Sequence, residues 1–240
     1  MKKERSLGHN WMQYGALALI VQLAVACSDK TAAPALPDNG AQVDNGAQAA
    51  TPVADERLVV AFGDSLYAGY NLDQDKGLAP VLQAALQARG VKARVINAGV
   101  SGDTTAAGLA RLAFTLDGLP RKPDLVLVGL GGNDMLRGLS PVETRANLDA
   151  ILAALQKRDI PILLTGMMAS PNMGPDYAGA FNAIFPELAR KYDATLYPFM
   201  LDGVIGDRAL QLPDGIHPND KGVTVIVGKL APVVAGALPS

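Results

Sequence analysis

From Leu58 onward, short apolar runs alternate with segments whose apolar residues recur every three or four positions. This is the pattern of β-α-β units and a parallel sheet. Five runs read as strands, at about 58–62, 93–97, 125–130, 160–165 and 194–197. Between the first two, Leu78, Val81, Leu82, Ala85 and Leu86 follow helical spacing and Gly90 stands where a helix stops. Ahead of the fourth, Ser140-Pro141-Val142-Glu143 combines a capping box with proline at the first helical position, and Leu148, Ile151, Leu152 and Leu155 form the buried stripe. A third helix, 176–192, contains Pro186, which should kink or restart it, and 220–230 reads as a closing helix. The expected fold is α/β, a three-layer α/β/α sandwich around a five-stranded parallel sheet.

The chain before this pattern reads differently. Lys2, Lys3 and Arg5 precede an apolar stretch at 15–26, too short to span a bilayer comfortably, so 1–26 reads as an export signal peptide. Ala24-Val25-Ala26 is an A-x-A cleavage site, and Leu23-Ala24-Val25-Ala26-Cys27 resembles a bacterial lipobox. Both routes cut the same bond and differ in the fate of Cys27. Its thiol is acylated in the lipoprotein reading, which anchors the protein to a membrane, and stays free in ordinary secretion. Ser28 behind it, by resemblance to the sorting of such lipoproteins, favours the outer membrane, with the protein facing the periplasm. Residues 27–55 are rich in Ala, Pro, Asp, Asn, Gly and Gln and repeat Asp38-Asn39-Gly40-Ala41-Gln42 at 44–48, with no alternating apolar strands alongside. They read as a flexible linker, with a root-mean-square reach of roughly 30 Å. The folded domain is placed at 56–240.

Composition narrows the chemistry. The 240 residues are 49% hydrophobic and 18% charged, within the globular range and enough for one domain after the linker. With 21 basic and 23 acidic residues and no basic run longer than a pair such as Lys2-Lys3, no nucleic-acid partner is expected. Cys27 is the sole cysteine, which rules out an internal disulfide, and His9 and His217 are too few for a histidine-rich metal site. No G-x-S-x-G elbow occurs. Gly129-Leu130-Gly131-Gly132-Asn133-Asp134 carries Asp134 where a dinucleotide fingerprint needs its last glycine, and Gly228-Lys229 lacks the rest of a phosphate loop. No cofactor or metal is expected.

Polar blocks remain at the carboxyl ends of the strands, the edge at which open parallel sheets bind ligands. Gly63-Asp64-Ser65-Leu66 follows the first strand and could equally be a helix cap. Asn97-Ala98-Gly99-Val100-Ser101-Gly102-Asp103-Thr104-Thr105 follows the second, and Gly131-Gly132-Asn133-Asp134 the third. They offer oxyanion donors, a backbone N–H at Gly102 and a carboxamide at Asn133, although Gly and Asn also serve simple turns. Asp214-Gly215-Ile216-His217-Pro218 supplies a carboxylate and an imidazole, a base with its orienter. His217 is the only histidine left once the signal is removed.

Together these blocks resemble the SGNH hydrolases, also called GDSL esterases, across about residues 57–235, and most closely their bacterial branch of acyl-CoA thioesterases, lysophospholipases and arylesterases. The resemblance implies a flavodoxin-like SGNH hydrolase fold and a serine esterase acting through an acyl-enzyme without a cofactor. It implies Ser65 as nucleophile, His217 as general base and then acid, and Asp214 as orienter. The Ser65 amide, Gly102 and Asn133 would form the oxyanion hole. Asp64, Asp103 and Asp134 are expected to brace their loops. Tyr67 and Met135 stand beside Ser65 and Asn133 where small or different residues are expected, which bears on the acyl pocket. Because an exported enzyme meets little coenzyme A, the expected substrates are lysophospholipids or aryl and short acyl esters, with thioesters a lesser option. A carbohydrate O-acetyl esterase and a non-catalytic flavodoxin-like binding module are the alternatives.

Overall fold

The computed structural model describes residues 56–239, so the signal segment 1–26, the linker 27–55 and Cys27 lie outside the described residues. Five parallel strands form one sheet: β1 (Arg57–Gly63), β2 (Ala93–Gly99), β3 (Leu125–Gly129), β4 (Ile162–Thr165) and β5 (Thr195–Tyr197), in the order β2-β1-β3-β4-β5. All five coincide with the expected runs, with ends moved by a residue or two. The ladder is parallel throughout, and its register brings Gly63 opposite Gly99 on one side and Gly129 on the other.

Alternate residues of the buried strands feed two separate cores, as the two-residue period of a strand requires. Val59, Ala61, Leu125, Leu127 and Leu163 pack on one face against α2 (Leu78–Ala88) and α7 (Asp220–Ala237). Val60, Phe62, Val126, Val128 and Leu164 pack on the other against α3 (Thr105–Asp117), α5 (Pro141–Gln156) and α6 (Pro175–Lys191). The result is the three-layer sandwich, with both faces covered as parallel sheets require. Two short helices, α1 (Ser65–Ala68) and α4 (Gly132–Leu136), sit directly on the carboxyl ends of β1 and β3.

Helix α5 starts as its sequence indicates, with Ser140 Oγ accepting a hydrogen bond from Val142 N at 3.2 Å and Pro141 in the first turn. The expected interruption at Pro186 and the expected end of the closing helix at 230 are corrected. Helix α6 runs unbroken through Pro186, and α7 continues through Pro232 to Ala237 instead of ending at 230. Both prolines lie on the exposed side of their helices, where water can satisfy the carbonyl left without a donor. The buried stripes Phe181, Ile184, Phe185, Leu188 and Ile226, Val227, Leu230, Val234 cross them and hold each helix together. Helix α3 was not expected from the sequence. Thr104 caps it, with Oγ1 accepting from Ala107 N at 3.3 Å, and its buried face is only Thr105, Gly108, Leu112 and Leu116.

Candidate active site

The strand order reverses direction between β1 and β3, which opens a crevice at their carboxyl ends, the place where doubly wound sheets bind ligands. Ser65 is the first residue of α1, at this crevice. Asp64 caps the helix, its Oδ1 accepting from Leu66 N at 3.0 Å, and Gly69 ends it in the left-handed region at φ 79°. A four-residue helix capped at both ends leaves the Ser65 side chain a well-defined direction.

His217 Nε2 lies 2.8 Å from Ser65 Oγ, and His217 Nδ1 lies 2.7 Å from Asp214 Oδ2. The other carboxylate oxygen of Asp214 accepts from Ile216 N at 2.9 Å and His217 N at 3.0 Å. Partial burial opposes ionisation of Asp214, but these two amides and the imidazole outweigh it and hold its carboxyl below the usual carboxylate range. Asp214 is therefore an anion aimed at the ring. The 214–218 loop is shaped by its own backbone: Leu212 N donates to His217 O at 2.8 Å, and Gln211 Nε2 donates to Gly215 O at 2.8 Å. Tyr70, not singled out from the sequence, lies against the imidazole with ring centroids 4.4 Å apart at 34°. Nothing in the local sequence signals this contact, because the two residues come from opposite ends of the domain.

Asn133 lies in α4 and lines the same cleft as Ser65 and His217. Its Nδ2 donates one hydrogen to Asp103 O at 2.9 Å, which leaves the second amide hydrogen free of that bond. Gly102, at φ 85° in the turn after β2, is an exposed residue that does not itself line the cleft. Its carbonyl accepts from Arg137 Nη2 at 2.8 Å, and its neighbour Asp103 carries the Asn133 contact, so the second and third blocks meet here.

The three aspartates of these blocks do brace. Asp103 Oδ2 binds Arg111 Nε at 2.6 Å, and Arg111 Nη2 reaches Gly63 O at 3.0 Å, with the guanidinium 4.1 Å above the Phe62 ring centroid. Asp134, fully buried, accepts from Thr105 N at 2.8 Å and from the hydroxyls of Thr105 and Thr144. Asp64 is buried under the nucleophile. Burial pushes its carboxyl up to about 7, with the Leu66 amide working against the shift and Asp103 and Asp134 adding to it.

The cleft is about 470 Å³ and mostly apolar. Leu66, Met135, Met167, Met168, Phe199 and Ile205 supply much of its wall. Met135 lines it, as the sequence suggested, and Tyr67 does not. The Tyr67 side chain turns into the core beneath α1 and is 1% exposed. Among the described residues, no group of three or more His, Cys, Asp or Glu is placed to hold a metal ion.

Comparison with known proteins shows the family. A model of the GDSL-like lipase/acylhydrolase family matches residues 61–225. Esterase TesA of Pseudomonas aeruginosa is 39% identical over 168 residues, covering 70% of this chain and 83% of that protein. Thioesterase 1/protease 1/lysophospholipase L1 of Escherichia coli K12 is 40% identical over 166 residues, covering 69% and 76%. Among solved structures, AlinE4, an SGNH-hydrolase family esterase, superposes with a TM-score of 0.66 at 52% identity, covering 79% of this chain and all of that one. With so much of the domain matched, the chain belongs to the GDSL-like lipase/acylhydrolase family of SGNH hydrolases and is a carboxylic ester hydrolase.

Proposed function

We propose that Ser65 is the nucleophile of this esterase, with His217 as its base and Asp214 as the orienter. The observation that carries the reading is the continuous line of short contacts from Asp214 Oδ2 through both ring nitrogens of His217 to Ser65 Oγ. With Nδ1 protonated and donating to Asp214, Nε2 presents its lone pair to the serine hydroxyl. As Oγ attacks the ester carbonyl, its proton passes to Nε2 and the carbonyl oxygen becomes an oxyanion. The Ser65 amide, Gly102 N–H and the free Asn133 amide hydrogen are its proposed donors. Collapse of the intermediate breaks the bond to the leaving oxygen, which takes the proton from Nε2 and departs as an alcohol. Water repeats the sequence on the acyl-enzyme, losing its proton to Nε2, and releases the carboxylic acid and Ser65. Every proton lost is regained and no cofactor enters.

Lysophospholipids, aryl esters and short acyl esters are the proposed substrates, with thioesters possible by the same steps. The apolar wall supports an acyl or aryl group in the cleft over the hydroxyl-rich ring of an acetylated sugar. Esterase, arylesterase and lysophospholipase in the names of the relatives favour the same classes.

The domain at 56–240 is proposed to be exported, with 1–26 removed, Cys27 lipidated and 27–55 serving as the tether that holds the enzyme off an outer-membrane surface. The basic, apolar and lipobox-like run ending at Cys27 supports this. Ser65→Ala tests the nucleophile: hydrolysis of a short p-nitrophenyl ester and labelling by a fluorophosphonate should both vanish with the fold intact. Turnover like that of the wild type would overturn it. For the anchor, the mature wild-type protein should carry the mass of a diacylglyceryl group and an acyl chain that Cys27→Ala lacks. An unmodified Cys27 refutes it.

A further inference from the structure

Three glycines at the carboxyl ends of neighbouring strands, Gly63, Gly99 and Gly129, stand side by side in the sheet register. None has the positive φ that would explain glycine by backbone conformation alone. What they share is one neighbour. A Cβ on Gly63 would lie 2.5 Å from Tyr67 Cγ, one on Gly99 would lie 2.8 Å from Tyr67 Cβ, and one on Gly129 would overlap the outer atoms of the Tyr67 ring. The three residues leave a trough across β2, β1 and β3, in which the Tyr67 ring lies over Gly63 and Gly129 while the α1 backbone at Tyr67 and Ala68 rests against Gly99. At the far side of the trough the phenol oxygen lies 2.8 Å from Thr165 Oγ1, at the carboxyl end of β4, and that hydroxyl reaches Val128 O at 3.3 Å.

Tyr67 is two residues beyond Ser65 and is the only buried side chain of α1. A helix of four residues has almost no stability of its own, so its position depends on what it is fastened to. We propose that Tyr67 is a positioning residue for Ser65: the ring seated in the glycine trough and bonded to Thr165 fixes the height and direction of α1 over four strands, and so the placement of the nucleophile toward His217. The inference rests on the reading of Ser65 as nucleophile. It gives a reason for glycine at 63, 99 and 129 and for a bulky residue where a small one was expected. Tyr67 does not line the cleft and acts only through the helix it shares with Ser65.

The test measures kcat and KM on a p-nitrophenyl ester, normalised to sites titrated with a fluorophosphonate, so that molecules lost to misfolding are not counted. Tyr67→Phe keeps the ring and removes the Thr165 bond, and should lower kcat per titrated site by about three- to tenfold with KM unchanged. Gly129→Ala, which pushes the ring, should cost up to about 100-fold in kcat, the scale of a displaced reacting group. In the double variant Gly129→Ala/Tyr67→Leu the ring atoms that collide are absent, so its kcat should be no lower than that of Tyr67→Leu alone, a non-additive cycle. Wild-type kcat per site in Tyr67→Phe overturns the inference even if the glycine variant does not fold. So does a change in KM alone, which would make Tyr67 a pocket residue, or additivity in the double variant. If the wild-type protein takes no label at Ser65, the nucleophile reading fails and this inference falls with it. A labelled Ser65 with indifferent variants removes only the inference.

Discussion

The two halves of the site are held by different means. On the β1 and β3 side, Ser65 and Asn133 stand on short helices seated directly on strand ends, and buried charges tie their loops together. Arg111 joins Asp103 to the Gly63 carbonyl, and Asp134 gathers Thr105 and Thr144. On the other side, Asp214 and His217 ride an exposed loop between β5 and α7, held by bonds within the loop itself and by the Tyr70 ring. The difference matches what each half is proposed to do. Donors for an oxyanion act by being fixed before charge develops, and a buried network supplies that. A base that takes a proton from one oxygen and gives it to another needs correct facing and little else, and one carboxylate with two amides on it can provide that.

If the loop half depends on a single local carboxylate, then Asp214→Asn has the largest effect after removal of the nucleophile. It should cut kcat by up to about 10⁴-fold, because the ring loses the partner that holds its tautomer. The variant should keep its melting temperature near neutral pH. A kcat like that of the wild-type protein would show that another group holds the ring.

Asn133→Ala probes the rigid half. It should lower kcat by about 100- to 1000-fold with little change in KM, as expected for a donor that matters chiefly in the transition state. An effect confined to KM would remove Asn133 from the oxyanion hole. Its amide also holds the Asp103 carbonyl, so the Asp103 turn should loosen, seen as faster amide exchange at Gly102 and Asp103.

These halves were unequally legible in the sequence. The strands could be read because a parallel sheet buries both faces, so 58–62 and 125–130 are apolar without interruption. Ser65 and Asn133 stood out as polar residues at strand ends, and Asp214 and His217 as a carboxylate beside the one histidine left after the signal; the structure brings Ser65, His217 and Asp214 into contact. Helix α3 escaped because its buried face includes Gly108 while Phe114 is 85% exposed and out of phase with Leu112 and Leu116. Pro186 misled because sequence alone does not say which side of a helix faces water. Tyr70 and Arg111 escaped, and Tyr67 was tied to the acyl pocket it does not line, for a common reason: each makes its contact only when distant segments meet, and an isolated Tyr or Arg carries no signal of its target.

The buried charges of the rigid half should also show in stability. An Asp64 carboxyl raised to about 7 in the folded protein keeps its proton after the unfolded chain, near 3.8, has lost it. The unfolded state then binds fewer protons, so the Asp64 contribution is fully present below pH 4 and declines as pH rises toward 7. Asp64→Asn, which cannot ionise and keeps an oxygen for the Leu66 amide, should gain on the wild-type protein across that window, by up to a few kcal/mol in denaturant titrations. A difference between the two proteins that does not vary with pH would show that Asp64 ionises normally in place.

The smallest expected effect lies at a ring contact that joins the halves beside the Ser65 hydrogen bond. Tyr70 follows α1, its amide bonding Ser65 O at 3.2 Å, so its ring belongs to the rigid half while its face meets the imidazole of the loop. An aromatic face over a ring that becomes cationic is worth about 0.5–1 kcal/mol at an exposed site, so Tyr70→Leu should lower kcat by about two- to fivefold. Three groups face the ring: Asp214 at Nδ1, Ser65 at Nε2 and Tyr70 on its face. Tyr70→Phe keeps the π face and should match the wild-type protein in kcat. If Phe and Leu fall equally, the phenol oxygen and not the ring is what matters, and the loop half is then oriented by its carboxylate alone.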